Sequence, residues 1–169
     1  MKKTISILIL GVLPAMALAG GDHAGGHDMQ RMEHGHRDGP SADAHEAAAG
    51  RPGDPAKVDR TIAVSMYDTM RFDPEKMIFK AGETVRFVVR NEGKIRHEMV
   101  IGSVEELKEH AEMMRKMPGM QHAEPNMISL APGERGDLVW QFENAGAIDF
   151  ACLVPGHLEA GMTGKIVVE

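Results

Sequence analysis

The sequence predicts an all-β sandwich carrying one inserted helix. Beyond Val58, hydrophobic and polar residues alternate in short runs, the period of half-buried strands. Those runs are separated by Gly, Pro and Asn turns, as in sandwiches and barrels. No helix-period stretches alternate with them, as a parallel α/β sheet would require. With 43% hydrophobic and 26% charged residues in a chain of 169, there is enough apolar material for one core of ordinary size.

Before the strands come two segments with other roles. Lys2 and Lys3 precede the apolar run Ile5–Leu13, and Ala17-Leu18-Ala19 follows as a small-x-small cleavage pattern. The run is shorter than the roughly 20 residues a membrane span needs. Residues 1–19 therefore read as a cleavable secretory signal. The mature protein is expected to be periplasmic, with no membrane attachment after cleavage. Residues 20–58 are rich in Gly, lack aromatics and offer only Val58 as a large branched aliphatic. Such a segment cannot offset its ordering entropy by burial, so a disordered tail is expected. It carries His23, His27, Met29, Met32, His34, His36 and His45. Imidazole and thioether suit copper in both oxidation states, and imidazole also takes zinc or nickel. The tail alone does not select among these metals, and a solvated His-rich linker is the bland alternative.

The folded domain is expected over residues 59–169. Thr61–Met66 alternates with Ile62, Val64 and Met66 on one face, and Met77–Phe79 leads into the turn Lys80-Ala81-Gly82-Glu83. Thr84–Arg90 turns Val85, Phe87 and Val89 inward and its arginines outward. After the turn Asn91-Glu92-Gly93 comes a strand at His97–Ile101; Asp137–Phe142, Ala147–Cys152 and Gly164–Val168 complete the set.

Between these strands, residues 103–127 form an insertion. Ser103-Val104-Glu105-Glu106 is a capping box, in which hydroxyl and carboxylate each satisfy a free N–H of the first turn. The spacing predicts a helix to about Met117, stopped by Pro118-Gly119. Val104, Leu107, Ala111 and Met114 share the face that would pack on the sandwich. His110, Met113 and Met117 share a neighbouring one, with Met120, His122 and Met127 in the loop beyond. Thioethers fill gaps in cores well. The other reading is a second, soft site for Cu(I).

Charge and cysteine count exclude several classes. The formal net charge is −6; without Lys2 and Lys3, 17 basic residues face 25 acidic ones, a net of −8. An acidic chain with no Lys/Arg cluster is a poor nucleic-acid binder. The single Cys rules out an intramolecular disulfide. That Cys opens the strongest motif, Cys152-x4-His157-x4-Met162, on a loop between two expected strands. Pro155-Gly156 turns the chain back so that His157 returns toward Cys152, and Gly161 leaves room for Met162. Read singly, these residues are a buried thiol, a loop histidine and a core methionine. Together they match a His₂Cys trigonal plane with a weak axial Met, the mononuclear electron-transfer copper site. The second His must come from elsewhere, and His97 at the start of a strand fits.

At this point the sequence resembles the cupredoxins, the plastocyanin/azurin superfamily, and within it the periplasmic copper-tolerance branch with a His/Met-rich N-terminus. The resemblance rests on Asp68-Thr69-Met70-Arg71-Phe72, Ala81–Val85, His97–Gly102 and the Cys152–Met162 loop, and covers residues 59–169. It implies a Greek-key β-sandwich with copper near one end, held by His97, Cys152, His157 and Met162. Many small electron carriers of this family place Asn or Ser after the first His; this chain has Glu98. A binuclear copper site needs two Cys, and multicopper oxidases flank theirs with His, where Ala151 and Leu153 stand here. A Cys–His hydrolase would need a lowered thiol pKa, which a strand end does not supply. The expectation is a monomeric, non-enzymatic type 1 copper protein with additional weakly bound copper, acting in copper tolerance; Cu(I) oxidation is left open. The alternative is a dedicated shuttle for a periplasmic redox partner.

Overall fold

The structure, a computed structural model, describes residues 49–117 and 123–169. In chain order the strands are β1 (Arg51–Pro52), β2 (Arg60–Tyr67), β3 (Arg71–Asp73), β4 (Lys76–Phe79), β5 (Thr84–Asn91) and β6 (His97–Gly102). Helix α1 (Val104–Lys116) follows, then β7 (Met127–Leu130), β8 (Arg135–Gln141), β9 (Gly146–Ala151) and β10 (Thr163–Val168). They form two five-stranded sheets, ordered β1-β8-β5-β2-β3 and β4-β10-β9-β6-β7. Pairs β2–β5 and β4–β10 are parallel and the rest antiparallel. This is the all-β sandwich that the alternation predicted.

The inward faces are the ones the sequence pattern marks. Val64 and Met66 of β2 and Val85, Phe87 and Val89 of β5 meet Met99, Ile101, Phe150 and Ile166 of the other sheet in one buried cluster. At one end Phe79 stacks on Phe142 with centroids 5.0 Å apart, and Phe87 meets Phe79 edge-on. Every residue of β6 is buried, because α1 covers its outer face. Leu107 and Ala111 pack with Val100, Ala151 and Leu153 in a second cluster.

The capping box of α1 is formed in both directions: Ser103 Oγ accepts from the Glu106 N–H, and Glu106 Oε2 accepts from the Ser103 N–H. Leu107, Ala111 and Met114 are buried as expected, whereas Val104 is 47% exposed. At the first helical position the chain has not yet come over the sheet. One turn on, Leu107 reaches Gly102. Met127, expected in a loop, belongs to β7 and pairs with Val100 of β6.

The folded part begins earlier than residue 59. Ala49 is buried, and its carbonyl accepts from the Trp140 indole N–H at 2.8 Å. Strand β1 pairs with β8, Arg51 opposite Gln141 and Pro52 opposite Trp140, and Gly53 N–H donates to Val139 O. A Gly/Pro-rich composition conceals this because the attachment runs through backbone groups on a sheet edge, where Pro is tolerated. The expected tail boundary at residue 58 therefore does not hold for the described residues, since Ala49–Gly53 are attached to the sandwich. A chain starting at residue 59 should be less stable than one starting at residue 49 by about 1–3 kcal/mol, the cost of an unsatisfied buried donor. Urea unfolding of the two metal-free proteins measures the difference.

Candidate metal centre

The Cys152-x4-His157-x4-Met162 loop joins β9 to β10, whose pairing begins at Thr163 opposite Ala151. Its base is closed by Cys152 N–H donating to Met162 O at 3.0 Å. Within it, His157 N–H donates to Val154 O, and Met162 N–H donates to His157 O. Gly156 (φ 91°) and Gly161 (φ 87°) are left-handed, a conformation that costs glycine little and other residues more. From outside, Arg71 Nη1 donates to Gly161 O at 3.3 Å.

His97 arrives from the neighbouring strand, since β6 pairs with β9 through Val100 opposite Ala151. Cys152 Sγ lies 3.2 Å from His157 Nδ1 and 3.9 Å from His97 Nδ1. The donor atoms of the three residues all lie within 4.8 Å of one another. The two imidazole centroids are 4.9 Å apart. His97, Cys152 and Met162 are fully buried, and His157 is 8% exposed. The structure therefore brings His97, Cys152 and His157 together, and two backbone hydrogen bonds tie the Met162 main chain to Cys152 and His157.

The electrostatics favour a cation among these atoms. Burial pushes the Cys152 thiol up to about 12, although N–H groups of Glu98 and Val154 pull the other way and the Glu98 charge adds to the rise. The Glu98 N–H donates to Sγ at 3.3 Å. Burial, followed by the proximity of His97, holds His157 below the ordinary histidine range. A thiolate here is unfavourable without a positive charge beside it. Two imidazole nitrogens and one sulfur form a donor set that copper fits well, and a soft thiolate suits Cu(I) in particular.

Asp68 is a residue the sequence did not single out as functional. It follows β2, and its Oδ1 lies 3.0 Å from His97 Nε2. Its other oxygen accepts from the Lys94 N–H at 2.8 Å. The Lys94 bond first, then the His97 bond, hold this carboxyl below its ordinary range. Its presence in the Asp68–Phe72 stretch was the only sequence signal. Asp68 itself is exposed, whereas Glu98 is buried and its Oε2 has no hydrogen-bond partner among the described residues.

The candidate secondary ligands fare differently. His110 is half-buried, with Nδ1 3.6 Å from Glu124 Oε2; Met113 is half-buried and Met117 exposed. Met120 and His122 lie outside the described residues, as do His23, His27, Met29, Met32, His34, His36 and His45. Among the described residues, His97, Cys152 and His157 are the one group of three or more His, Cys, Asp or Glu residues placed to share an ion.

Comparison with known proteins agrees with this geometry. The family model of copper-binding proteins of the plastocyanin/azurin family matches residues 58–169. The copper-resistant cuproprotein CopI of Rubrivivax gelatinosus is 49% identical over 97% of this chain and 93% of its own length. CopI of Vibrio cholerae is 34% identical over 98% of both. Among solved structures, reduced auracyanin from Roseiflexus castenholzii superposes with a TM-score of 0.57 at 20% identity, covering 66% of this chain and 98% of that one. Auracyanin A, a "blue" copper protein of Chloroflexus aurantiacus, gives 0.55 at 24% identity over 64% and 98%. The chain belongs to the plastocyanin/azurin family of copper-binding proteins: it is a cupredoxin related to the copper-resistance cuproproteins.

Proposed function

We propose that this cupredoxin binds copper at a single type 1 site and redox-cycles it in periplasmic copper tolerance, with His97, Cys152, His157 and Met162 as ligands. The observation that carries the reading is the buried convergence of His97, Cys152 and His157 within 4.8 Å. Bound there, copper supplies a one-electron Cu(I)/Cu(II) couple. The chain's own residues do the rest. The β9–β10 loop fixes Cys152 and Met162 through their shared backbone bond, and β6 holds His97 with little freedom to rearrange. His157, the only one of the four with any exposure, is the exit for an electron. Half-buried Val154 and Leu158 flank it.

The role in tolerance, rather than in shuttling electrons, draws on the soft donors outside the sandwich. The tail and the Met-rich insertion are read as capture sites that hold further copper weakly and deliver it to the buried centre. The likeness to CopI runs over 97% of the chain, well beyond the sandwich. The protein is read as exported by its signal, monomeric and non-enzymatic.

Complementation of a gene-deletion strain tests this. Deletion should make cells copper-sensitive, and a Cys152→Ala chain should fail to rescue. Mature protein lacking residues 20–48 should rescue only in part. A deletion strain as copper-tolerant as its parent, in a background without redundant systems, would overturn the reading. A shuttle would instead slow respiration at ordinary copper levels, and tail-less protein would restore it fully.

A further inference from the structure

We propose that Asp68 is a positioning residue for the metal centre: it holds the His97 imidazole in the tautomer protonated at Nε2, and Gly93 is the position that lets it approach. This rests on the reading of His97 as a ligand through Nδ1. A neutral imidazole carries one proton, and only the bare nitrogen can bind a metal. His97 Nδ1 faces the Cys152 sulfur at 3.9 Å, while Nε2 faces Asp68 Oδ1 at 3.0 Å. An ionised carboxylate only accepts hydrogen bonds, so Nε2 must donate and Nδ1 is left bare. Such carboxylate–imidazole–metal chains orient the ring and raise its basicity as a ligand.

Both oxygens of Asp68 are committed. Oδ2 takes the Lys94 N–H at 2.8 Å, and that loop is itself tied down. Asn91 Nδ2 donates to Ile95 O and Leu130 O, and Asn91 Oδ1 accepts from the Gly93 N–H. The approach of Asp68 to His97 needs an open corner, which Gly93 leaves. A Cβ on Gly93 would lie 2.0 Å from Asp68 Oδ1, 2.9 Å from its Cγ and 3.1 Å from His97 Nε2. Gly93 has no left-handed backbone, so the space and not the conformation calls for glycine there.

Asp68→Asn separates the tautomer from mere packing. The carboxylate meets Lys94 N–H with Oδ2 and His97 Nε2 with Oδ1, and an amide keeps an oxygen at only one of those two positions. With the oxygen kept on Lys94, the NH₂ group faces Nε2, which must then accept, and the proton moves to Nδ1. The experiment is long-range ¹H–¹⁵N correlation of histidine-labelled, metal-free mature protein, followed by Cu(II) competition titration. The wild-type chain should show His97 protonated at Nε2. Asp68→Asn should shift His97 toward the Nδ1–H form and weaken Cu(II) binding by about 10–100-fold, the range typical for such outer partners. Gly93→Ala, which keeps the carboxylate but displaces it, should move both readouts the same way. Wild-type His97 protonated at Nδ1, or an Asp68→Asn chain whose tautomer and affinity are unchanged, would overturn the proposal. Should Asp68→Asn fail to fold, the wild-type tautomer and Gly93→Ala decide it. Because the tautomer is read without metal, this can fail while the ligand assignment stands, and the reverse.

Discussion

Cys152→Ser is expected to remove the visible absorption of the copper-loaded protein altogether and to weaken copper binding by more than about a hundredfold, beyond what loss of an outer-shell partner brings. At the proposed site such a band would come from thiolate-to-copper charge transfer, and Cys152 is the only thiol in the chain. The same substitution should change the pH dependence. Burial pushes the Cys152 thiol up to about 12, so it is held protonated in the neutral range, while burial and then His97 hold His157 below the ordinary histidine range. Binding therefore releases the thiol proton, and apparent affinity should rise about tenfold per pH unit between pH 7 and 9. In Cys152→Ser that contribution to the slope should vanish. His97→Ala or His157→Ala should distort the band. Met162→Leu should keep it while raising the reduction potential, because the thioether proposed as a weak ligand would be lost. Absorption spectra and competition titrations across pH read all of these. A Cys152→Ser protein that kept its band would refute the ligand assignment.

What could be read from the sequence follows the length scale of each signal. The alternations Ile62/Val64/Met66 and Val85/Phe87/Val89 each extend over a whole strand, so the period identifies strand and inward face together. The β9–β10 loop was legible for another reason: thiol, imidazole and thioether fall within eleven residues, and a short closed loop must keep them near one another. His97 was picked out only as a histidine at a strand start and by the family resemblance; what brings it to Cys152 is the pairing of β6 with β9. Strands β1, β3 and β7 are two to four residues long, too short for a period to show. Asp68 and Gly93 escaped because their roles are set by approach distances between separate loops, which no spacing rule encodes. Val104 was misplaced because helical periodicity assigns a face to every turn, including one that overhangs the edge of the sheet.

Gly164→Ala should be among the most damaging single-methyl additions to this domain. Gly164 of β10 sits opposite Phe150 of β9, and a Cβ there would lie 2.1 Å from Phe150 Cζ and 2.5–2.6 Å from the two Cε atoms. The ring thus lies directly over the glycine. It cannot easily move aside, being fully buried and meeting Phe72 edge-on at 4.9 Å. Gly164 is not in a left-handed conformation, so the cost is steric. Overpacking of a filled core costs about 1–3 kcal/mol, sometimes more, and three short contacts against an immobile ring place this variant at the upper end. The damage should also reach the metal centre. Phe150 stands two residues before Cys152 and Gly164 two after Met162, so prying these strands apart strains the Cys152 N–Met162 O bond that closes the ligand loop. Urea unfolding of the metal-free variant should show a lower midpoint with an unchanged slope, and its copper-loaded spectrum should shift. Adding Phe150→Leu should recover part of the loss, a departure from additivity that identifies the ring as the obstacle. Strict additivity of the two substitutions would show instead that Gly164 serves some purpose other than making room for Phe150.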